Sequence, residues 1–415
     1  MKDKSRLNRI MSARRVMVYS ALAFLVLSLI STAVYYFTGY LKDPIQGFFD
    51  SVSAFSTTGL SLFPRPNELP EWLRLFRAAC QWIGGGISLA VLALMMSSPD
   101  GDSGAGEISD TFYRFGKSFN TAFRRLILVY LSLSALLLAL LAVTGCGFSD
   151  AVCVAFATVS TGGMSPGPVL PNGFSETVVM AFMLLTSISY PIYYYAARKR
   201  TGKLEKNNEA TVFLGLVVIF CVLVSAILAI SGTYGIRESV ELGCFHTVSN
   251  FSTTGLALDD ISRWPTFAQA LLTIAAFIGG CSFSLTSGIK VARLIVIVRI
   301  LSRSFTVRLH PKAMISTKLN GKQVSRRNAA QMATFLLTFF AFFALGTFLI
   351  SFDAPDILSS INLCAAALTN TGNGFSFLFV MGALSDYTLV VMSLLMLIGR
   401  LELYALLIAF PDRAS

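Results

Sequence analysis

The residues best suited to chemistry in this chain lie in four short motifs built around Thr-Gly. Residues 52–60 read VSAFSTTGL and residues 248–256 read VSNFSTTGL, so eight of nine positions match. Weaker copies read ATVSTGG at 157–163 and LTNTGNG at 368–374. Glycine lets the chain adopt positive φ and turn its carbonyl groups, while threonine and serine add hydroxyl oxygens. Oxygens presented in this way can replace the hydration shell of a monovalent cation.

The fourfold recurrence predicts a filter formed by four loops around one axis. A divalent cation would favour a ring of carboxylates, and an anion would favour Arg or Lys, but the motifs contain none of these residues. Pairing the Thr-Gly steps predicts that Gly59, Gly162, Gly255 and Gly372 are equivalent. The candidate cation-ligating residues are Thr57, Thr58, Gly59, Ser160, Thr161, Gly162, Thr253, Thr254, Gly255, Asn370, Thr371 and Gly372.

The sequence around each motif predicts the elements that position it. An apolar run precedes each motif, a shorter segment leads into it, and a second apolar run follows. The shorter segment cannot cross hydrocarbon and is expected to form a re-entrant half-helix. The predicted fold is an all-α integral membrane protein, with four parallel helix–re-entrant pore loop–helix repeats around one central pore and eight spans. The expected divisions are 1–15 (cytoplasmic N-terminus), 16–97 (repeat 1), 124–200 (repeat 2), 211–301 (repeat 3), 302–327 (basic cytoplasmic linker) and 328–410 (repeat 4).

The composition is that of a membrane protein. Hydrophobic residues make up 54% of the 415 positions, charged residues make up 13%, and the mean hydropathy is +0.68. These values exclude a water-soluble enzyme, a disordered chain and a small secreted domain held by disulfides. The seven cysteines and two histidines are scattered without metal-ligand spacing, so no bound cofactor is expected.

Charge predicts the orientation of the repeats. The segments expected on one side hold 26 Lys and Arg against 8 acids, and the opposite side holds 6 against 13. The excess of positive charge in cytoplasmic loops places both termini in the cytoplasm and the four motifs toward the outside. The net +11 is therefore attributed to membrane topology rather than to nucleic-acid binding. The acidic outer face is expected to attract cations.

The second apolar run of repeat 3, residues 265–301, is too long for one straight span. Small residues are concentrated in its middle, including Gly279, Gly280 and Gly288. They predict a break in the helix and an intramembrane loop below the filter, although close helix packing is the alternative. Arg400 lies within the last apolar run, where a charge is costly and usually functional.

Three further stretches carry a family resemblance. They read QWIGGG at 81–86, FIGGC at 277–281 followed by GIK at 288–290, and GRLE at 399–402. Together with the four motifs, they resemble the pore-forming subunits of the Trk/Ktr/HKT superfamily of K+ (sometimes Na+) uptake systems over nearly the whole chain. Because the chain begins directly with repeat 1, it is more similar to the Ktr-type members in that respect.

The resemblance implies K+ uptake through a backbone-carbonyl filter, with an intramembrane loop as the gate. It implies that Arg400 points into the cytoplasmic half of the pore as an electrostatic barrier. Phe283 stands where relatives have glycine, and it is expected to stiffen the loop or to act as an apolar plug. Lys290 and Arg293 are expected near the cytoplasmic mouth. The candidate gate residues are Gly279, Gly280, Cys281, Phe283, Gly288 and Arg400.

The resemblance also implies partners and a location. Relatives form homodimers and associate with a cytoplasmic ring of nucleotide-binding RCK subunits, so nucleotide is expected only through such a partner, since the chain has no Walker A sequence. Membrane lipid surrounds a multi-pass protein of the cell inner membrane. Two alternatives remain: a Na+-permeable or poorly selective transporter, and, more remotely, an intramembrane enzyme using His246.

Overall fold

The fold is given by a computed structural model of the chain. It describes the following residues: 2–63, 68–97, 119–164, 170–197, 208–309, 318–319, 322–324, 326–372 and 384–401. The helices of repeat 1 are α1 (Lys2–Thr38), α2 (Pro44–Phe55) and α3 (Glu71–Ser97). Those of repeat 2 are α4 (Phe119–Val143), α5 (Phe148–Ser160), α6 (Gly173–Ser187) and α7 (Tyr190–Ala197).

Repeats 3 and 4 follow the same plan. The helices of repeat 3 are α8 (Asn208–Ile230), α9 (Ile236–Phe251), α10 (Thr266–Ile278) and α11 (Val291–Leu309). Those of repeat 4 are α12 (Arg326–Ile350), α13 (Ile357–Leu368) and α14 (Asp386–Arg400). The helical fold is confirmed, with one small addition: β1 (Lys318–Leu319) and β2 (Lys322–Gln323) form an antiparallel pair.

The four short helices α2, α5, α9 and α13 lead into the Thr-Gly motifs and are called the pore helices below. Local sequence sets where they start. Asp43 accepts a hydrogen bond from the Ile45 amide at the start of α2, and Asp356 accepts one from the Ser359 amide at the start of α13. Such caps satisfy amides that have no partner within the helix.

The described residues do not by themselves confirm the eight expected spans. Among the described residues, five helices are long and apolar enough to cross a membrane: Val16–Thr38, Glu71–Met96, Phe119–Val143, Glu209–Ile230 and Ala329–Ile350. The pair α6 and α7 passes the same test together but is bent by 95°. The helices that follow the motifs in repeats 3 and 4 fall below the length tested. In repeat 3, α10 has 13 residues, and in repeat 4, 15 residues of α14 are described. The eight-span count therefore stays a prediction.

Burial separates the inner helix of repeat 1 from the outer helices. In the apolar window of α3, 61% of residues are buried, against 28% in those of α1, α8 and α12. Large apolar side chains such as Phe37, Val218 and Phe348 are exposed on these outer helices. An apolar outer surface of this kind suits contact with lipid, while α3 packs against the centre of the fold.

Proline explains a break that the sequence interpretation missed. Residues 174–197 were expected to form one helix, but α6 ends at Ser187 and α7 begins at Tyr190. Pro191 has no N–H to donate to the carbonyl of Ser187 four residues earlier. That carbonyl instead accepts a hydrogen bond from the Cys281 amide over 2.9 Å. The bend therefore frees a backbone acceptor for the loop between α10 and α11.

Candidate functional site

Each pore helix is followed by a residue with left-handed backbone. These residues have φ between 50° and 58° and are Thr57, Thr161, Thr253 and Asn370. Left-handed backbone is rare for a β-branched residue, so its occurrence at three threonines and at the equivalent Asn370 indicates a shared geometry. Each of their amides donates to the carbonyl three residues earlier, and the next amide donates to the carbonyl five residues earlier. The chain therefore leaves each pore helix by the same turn.

This turn changes the alignment of repeat 2. Thr161 has the conformation of Thr57, so Gly162 takes the place of Thr58, and the positive-φ glycine is Gly163. The predicted equivalence of Gly162 with the other motif glycines is therefore wrong by one residue. The prediction aligned the four motifs on their Thr-Gly pairs. The feature that recurs in the structure is the backbone turn, and in repeat 2 this turn is shifted by one residue relative to the Thr-Gly pair. The equivalent glycines are Gly59, Gly163, Gly255 and Gly372, with φ of 91°, 60°, 71° and 70°.

Three of the equivalent glycines, Gly59, Gly163 and Gly372, bring the four loops into backbone contact, and we call this arrangement the ring. The distances from a Cβ built on a glycine to a neighbouring carbonyl oxygen are 2.3 Å for Gly59 to Gly162, 1.9 Å for Gly163 to Thr254, and 1.8 Å for Gly372 to Thr58. Each carbonyl belongs to the residue just before the glycine of the next repeat. No side chain fits at these contacts, so the ring needs glycine for space as well as for φ.

A layer of hydroxyl pairs lies beside the ring in three repeats. The pairs are Ser56 with Thr58 at 2.7 Å, Ser252 with Thr254 at 2.8 Å, and Thr369 with Thr371 at 2.8 Å. In repeat 2 the second member is Gly162, which has no side chain. All the residues of the three pairs are buried. The structure thus brings the candidate ligand residues together. Repeat 2 differs from the others because it has no hydroxyl pair.

The segments after the motifs are tied back to the pore helices. Ser53 Oγ donates to Leu60 O over 2.6 Å, and Ser249 Oγ donates to Leu256 O over 2.7 Å. In repeat 3, His246 Nε2 accepts from the Leu258 amide over 3.3 Å. His246 is buried against Trp264, with ring centroids 4.8 Å apart. These contacts give His246 a structural role.

Repeat 1 holds its loop with an ion pair that sequence analysis missed. Asp50 precedes the nine-residue match by two residues, as His246 does in repeat 3, and it is fully buried on α2. Its carboxylate accepts from Arg77 over 3.0 Å and from Tyr35 OH over 2.8 Å. Arg77 also donates to Ser61 Oγ over 2.5 Å. The available signal was an acid inside an otherwise apolar half-helix, which calls for a buried partner.

The electrostatics of the ring come from the backbone. The pore helices end at the ring, and a helix C-terminus carries partial negative charge from its carbonyl groups. The described residues contain no group of three or more His, Cys, Asp or Glu that could hold a metal ion. The arrangement therefore offers neutral oxygens and helix dipoles, which suit a weakly held monovalent cation.

The loop between α10 and α11, residues 279–290, contacts the turns of two pore helices. The Ser287 amide donates to Thr253 Oγ1 over 3.0 Å, and Thr161 Oγ1 donates to Leu285 O over 3.3 Å. These bonds bring the candidate gate residues and the candidate ligand residues into one site. The loop lies against the side chains of the left-handed residues in repeats 2 and 3.

The far side of the loop is held by repeats 2 and 3. Ser189 Oγ donates to Ser282 O over 2.5 Å, and the Tyr190 amide donates to Phe283 O over 3.1 Å. At the start of α8, the fully buried Glu209 accepts from the Ser282 amide over 2.5 Å. The bend between α6 and α7 and the first turn of α8 therefore form a cradle for the loop.

Two cations complete the support of the loop. Arg400 donates to Leu285 O over 3.0 Å and to Ser88 Oγ over 2.7 Å, beside a small cavity between α3 and the loop. Lys290 is buried and donates to Ser284 O over 3.2 Å and to Thr286 O. An ordinary snorkelling charge was expected at Lys290, and that part of the expectation is wrong, because its ammonium group is buried and satisfies carbonyls of the loop. Its place near the cytoplasmic mouth stays a prediction.

Arg293 is also buried, which corrects the same expectation. It donates to Ile289 O over 3.2 Å, and its guanidinium lies 3.9 Å from the centre of the Phe335 ring. Phe283 has φ of 60° and packs in the largest hydrophobic cluster, while Ser284 to Ser287 line the cavity. Phe283 therefore anchors the loop in this cluster and is not among the residues that line the cavity.

Three glycines make the tight path of the loop possible. Gly279 and Gly288 have positive φ, of 66° and 84°. A Cβ on Gly279 would lie 2.3 Å from Ser287 O, and one on Gly280 would lie 2.7 Å from Thr286 Oγ1. Cys281 is buried, and its amide donates to the carbonyl freed at the bend of repeat 2. All six candidate gate residues thus lie in or against this loop.

The sequence model of the TrkH family, described as a cation transport protein, matches residues 5–234 and 216–414. This chain belongs to the TrkH family. The fold agrees: the crystal structure of the potassium transporter TrkH from Vibrio parahaemolyticus superposes with a TM-score of 0.84 at 24% identity. The match covers 96% of this chain and 85% of that one.

The names of curated relatives describe potassium uptake or cation transport proteins. The Trk system potassium uptake protein TrkG of Escherichia coli is 27% identical, over 88% of this chain and 78% of its own length. TrkH of Halomonas elongata is 26% identical over 94% of this chain and 84% of its own length. An uncharacterized cation transporter of Methanocaldococcus jannaschii is 28% identical over 95% and 81%. This TrkH-family member is therefore a membrane transport protein and not an enzyme.

Proposed function

We propose that this protein takes up K+ through the ring of four Thr-Gly turns. The observation that carries the proposal is the fourfold repetition of one backbone turn, in which three of the four turn glycines lie against the carbonyl that precedes the glycine of a neighbouring repeat. Carbonyl oxygens held in such a ring can substitute for the water shell of K+ without binding the ion too tightly to release it. The printed names of the TrkG and TrkH relatives support K+ as the ion.

The proposed filter comprises the candidate ligand residues together with Gly163. Gly162 stays in it as the counterpart of Thr58 and contributes its carbonyl, while Gly163 supplies the close backbone contact. We assign no bound cofactor, because K+ is the cargo. The Na+-permeable alternative shares every contact of this arrangement, and a flux measurement distinguishes the two.

The loop at residues 279–290 is the proposed gate. It is held against the turns of repeats 2 and 3 by Thr161 and Thr253, and from the side by Arg400. Each neutral hydrogen bond contributes about 0.5–1.5 kcal/mol, so a change in a few of the bonds that hold the loop is enough to shift it between positions. The conformation described corresponds to a gate resting against the filter.

We further propose the arrangement of the whole protein. The four repeats have the boundaries given by the sequence, with residues 302–327 as a basic cytoplasmic linker of which 302–309 extend α11. Both termini lie in the cytoplasm and the filter opens outward from the inner membrane. The protein acts as a homodimer with a cytoplasmic nucleotide-binding RCK subunit.

The function is tested by K+ and Na+ flux into proteoliposomes containing the purified protein. Gly372→Ala places a Cβ 1.8 Å from Thr58 O at a φ of 70°, so the variant is expected to lose selectivity for K+ over Na+. Gly232→Ala is the matched control, because Gly232 has a φ of 69° and no neighbouring atom within 4 Å. It is expected to keep the wild-type ratio.

Equal K+ and Na+ flux through the wild-type protein would replace the proposal by the poorly selective alternative. An unchanged ratio in Gly372→Ala would remove the ring from the permeation path. If the two alanine variants lost flux equally, the effect would come from backbone strain in general and would not support the filter.

A further inference from the structure

Repeat 2 lacks a side chain where the other three repeats place a threonine hydroxyl. Thr58, Thr254 and Thr371 each pair with a hydroxyl two residues earlier. The corresponding Gly162 cannot form such a pair, and Ser160 Oγ has only a long contact of 3.5 Å to Ala157 O. The chain therefore has a gap in the side-chain layer that supports the ring.

The side chain of Gln81 fills this gap from a different repeat. A Cβ built on Gly162 would lie 2.5 Å from Gln81 Oε1, 2.9 Å from Gln81 Cδ and 3.0 Å from Ser160 Oγ. The amide oxygen of Gln81 therefore occupies the volume that a threonine side chain would take at position 162. Gln81 lies on α3 and is fully buried.

The hydrogen bonds of Gln81 are consistent with a role in the filter. Its Nε2 donates over 3.3 Å to the carbonyl oxygen of Met164, which is the residue directly after Gly163. Within the part of the chain that the structure describes, its Oε1 is buried without a hydrogen-bond partner, and so is Thr57 Oγ1 on the turn of repeat 1. A buried amide oxygen without a partner is costly, and an amide is an unusual choice merely to fill space.

We propose that Gln81 is a positioning residue for ion selectivity, which supplies to repeat 2 the side-chain oxygen that Gly162 lacks. Through Nε2 it fixes the backbone at Met164, and through its bulk and oxygen it fixes the carbonyl of Gly162 in the ring. This inference rests on the proposed function. It makes the fourth side of the ring dependent on α3 of repeat 1.

The geometry predicts a rescue. In Gln81→Met, the volume is kept and the polar atoms are lost, so the selectivity for K+ over Na+ is expected to fall by about threefold or more. In Gly162→Thr alone, the new side chain collides with Gln81, so the selectivity for K+ over Na+ is expected to fall further. In the double variant Gln81→Ala with Gly162→Thr, the new hydroxyl faces Ser160 Oγ as in the other repeats. Gly162 lies outside the left-handed region, so threonine is allowed there.

The experiment measures K+ and Na+ flux in proteoliposomes for the wild type, Gln81→Met, Gln81→Ala, Gly162→Thr and the double variant. Thermal unfolding in detergent confirms that each variant is folded. A double variant more selective than both of its parent single variants supports the proposal. Wild-type selectivity in Gln81→Met would overturn it, because volume alone would then suffice, and so would a double variant no better than Gly162→Thr.

Failure of this inference is distinguishable from failure of the proposed function. A wild-type protein that does not discriminate K+ from Na+ overturns the filter itself. A selective wild type with an unchanged Gln81→Met variant overturns only the role of Gln81. Loss of folding in Gln81→Ala does not block the test, because the threonine of the double variant refills the gap. The selectivity of the double variant is then compared directly with that of Gly162→Thr.

Discussion

At the scale of single residues, the four left-handed turns separate two roles within one motif. In two repeats the side chain of the residue in the left-handed position reaches the loop at 279–290, and in repeat 4 the side chain of Asn370 donates to Thr58 Oγ1 over 2.9 Å. Thr161 and Thr253 make the contact with the loop, while the hydroxyl of Thr57 is buried without a partner. The glycine two residues later makes the ring. Selectivity and gating are therefore proposed to meet in neighbouring residues.

Thr253→Val removes the acceptor for the Ser287 amide. A neutral hydrogen bond contributes about 0.5–1.5 kcal/mol, so the loop should leave the filter more often and basal K+ flux should rise by about 2- to 10-fold. Thr57→Val is the matched control, because it makes the same change at the same backbone position without a loop contact. Equal flux in the two variants would contradict the proposed link between turn and loop.

The buried ion pair behind repeat 1 makes a prediction about stability. Arg77→Met leaves Asp50 charged and without its ionic partner, which is expected to cost about 3–5 kcal/mol of folding free energy. Thermal unfolding in detergent measures the loss. Arg237→Met removes an exposed partner of Glu241 and should stay close to the wild type. A similar small shift in both variants would show that the Asp50 cluster does not support the fold.

The residue scale also marks the limit of sequence inference. The eight-of-nine match between residues 52–60 and 248–256 was enough to predict two equivalent loops. In repeat 2, the string STGG allows two alignments, and only the turn at Thr161 decides for Gly163. Asp50 and Arg77 are 27 residues apart, and nothing in their spacing indicates a pair. Contacts between distant residues of this kind need the packed structure.

At the scale of elements, two broken helices face each other. The break in repeat 3 was predicted from small residues around Gly280, but the break in repeat 2 was not. Its signal was Pro191, which frees the carbonyl of Ser187 for the Cys281 amide. The loop thus takes its hydrogen bonds from an irregular segment in the neighbouring repeat. Non-helical backbone at membrane depth is tolerated when it is satisfied in this way.

Glu209 joins the first turn of α8 to this loop and offers a test at the element scale. Glu209→Leu removes the acceptor for the Ser282 amide and should loosen the loop, which raises basal K+ flux in proteoliposomes. Glu209→Gln keeps an acceptor oxygen and is the matched control, with flux expected near the wild type. Raised flux in both variants would assign the effect to charge and not to the hydrogen bond, and no change in either would exclude Glu209 from gating.

At the scale of the whole molecule, the fold combines an apolar outer surface with a polar centre. The outer helices expose large apolar side chains, whereas the hydroxyls of the motifs are buried around the ring. Composition and the repeats were sufficient to predict this architecture. The expected eight spans were not all found as long helices among the described residues, because the second helices of repeats 2 and 3 are divided and only 15 residues of α14 in repeat 4 are described.

Topology is a property of the whole chain and can be tested with introduced cysteines. Thr233→Cys is expected outside and Ser302→Cys inside, and both positions are exposed. In right-side-out membrane vesicles, an impermeant thiol reagent should label the first variant directly and the second only after permeabilisation. The seven native cysteines are buried or partly buried, so their labelling should be low. The opposite labelling pattern would invert the proposed orientation.

The central claim is that a monovalent cation occupies the ring formed by the four turns. The most direct measurement is anomalous X-ray diffraction from crystals of the protein grown in Rb+, a heavier analogue of K+. The account predicts an anomalous peak on the ring axis, at the level of the carbonyls of Thr58, Gly162, Thr254 and Thr371. Peaks elsewhere with an empty ring axis, or a ring in which Gly163 does not face its neighbour, would contradict it.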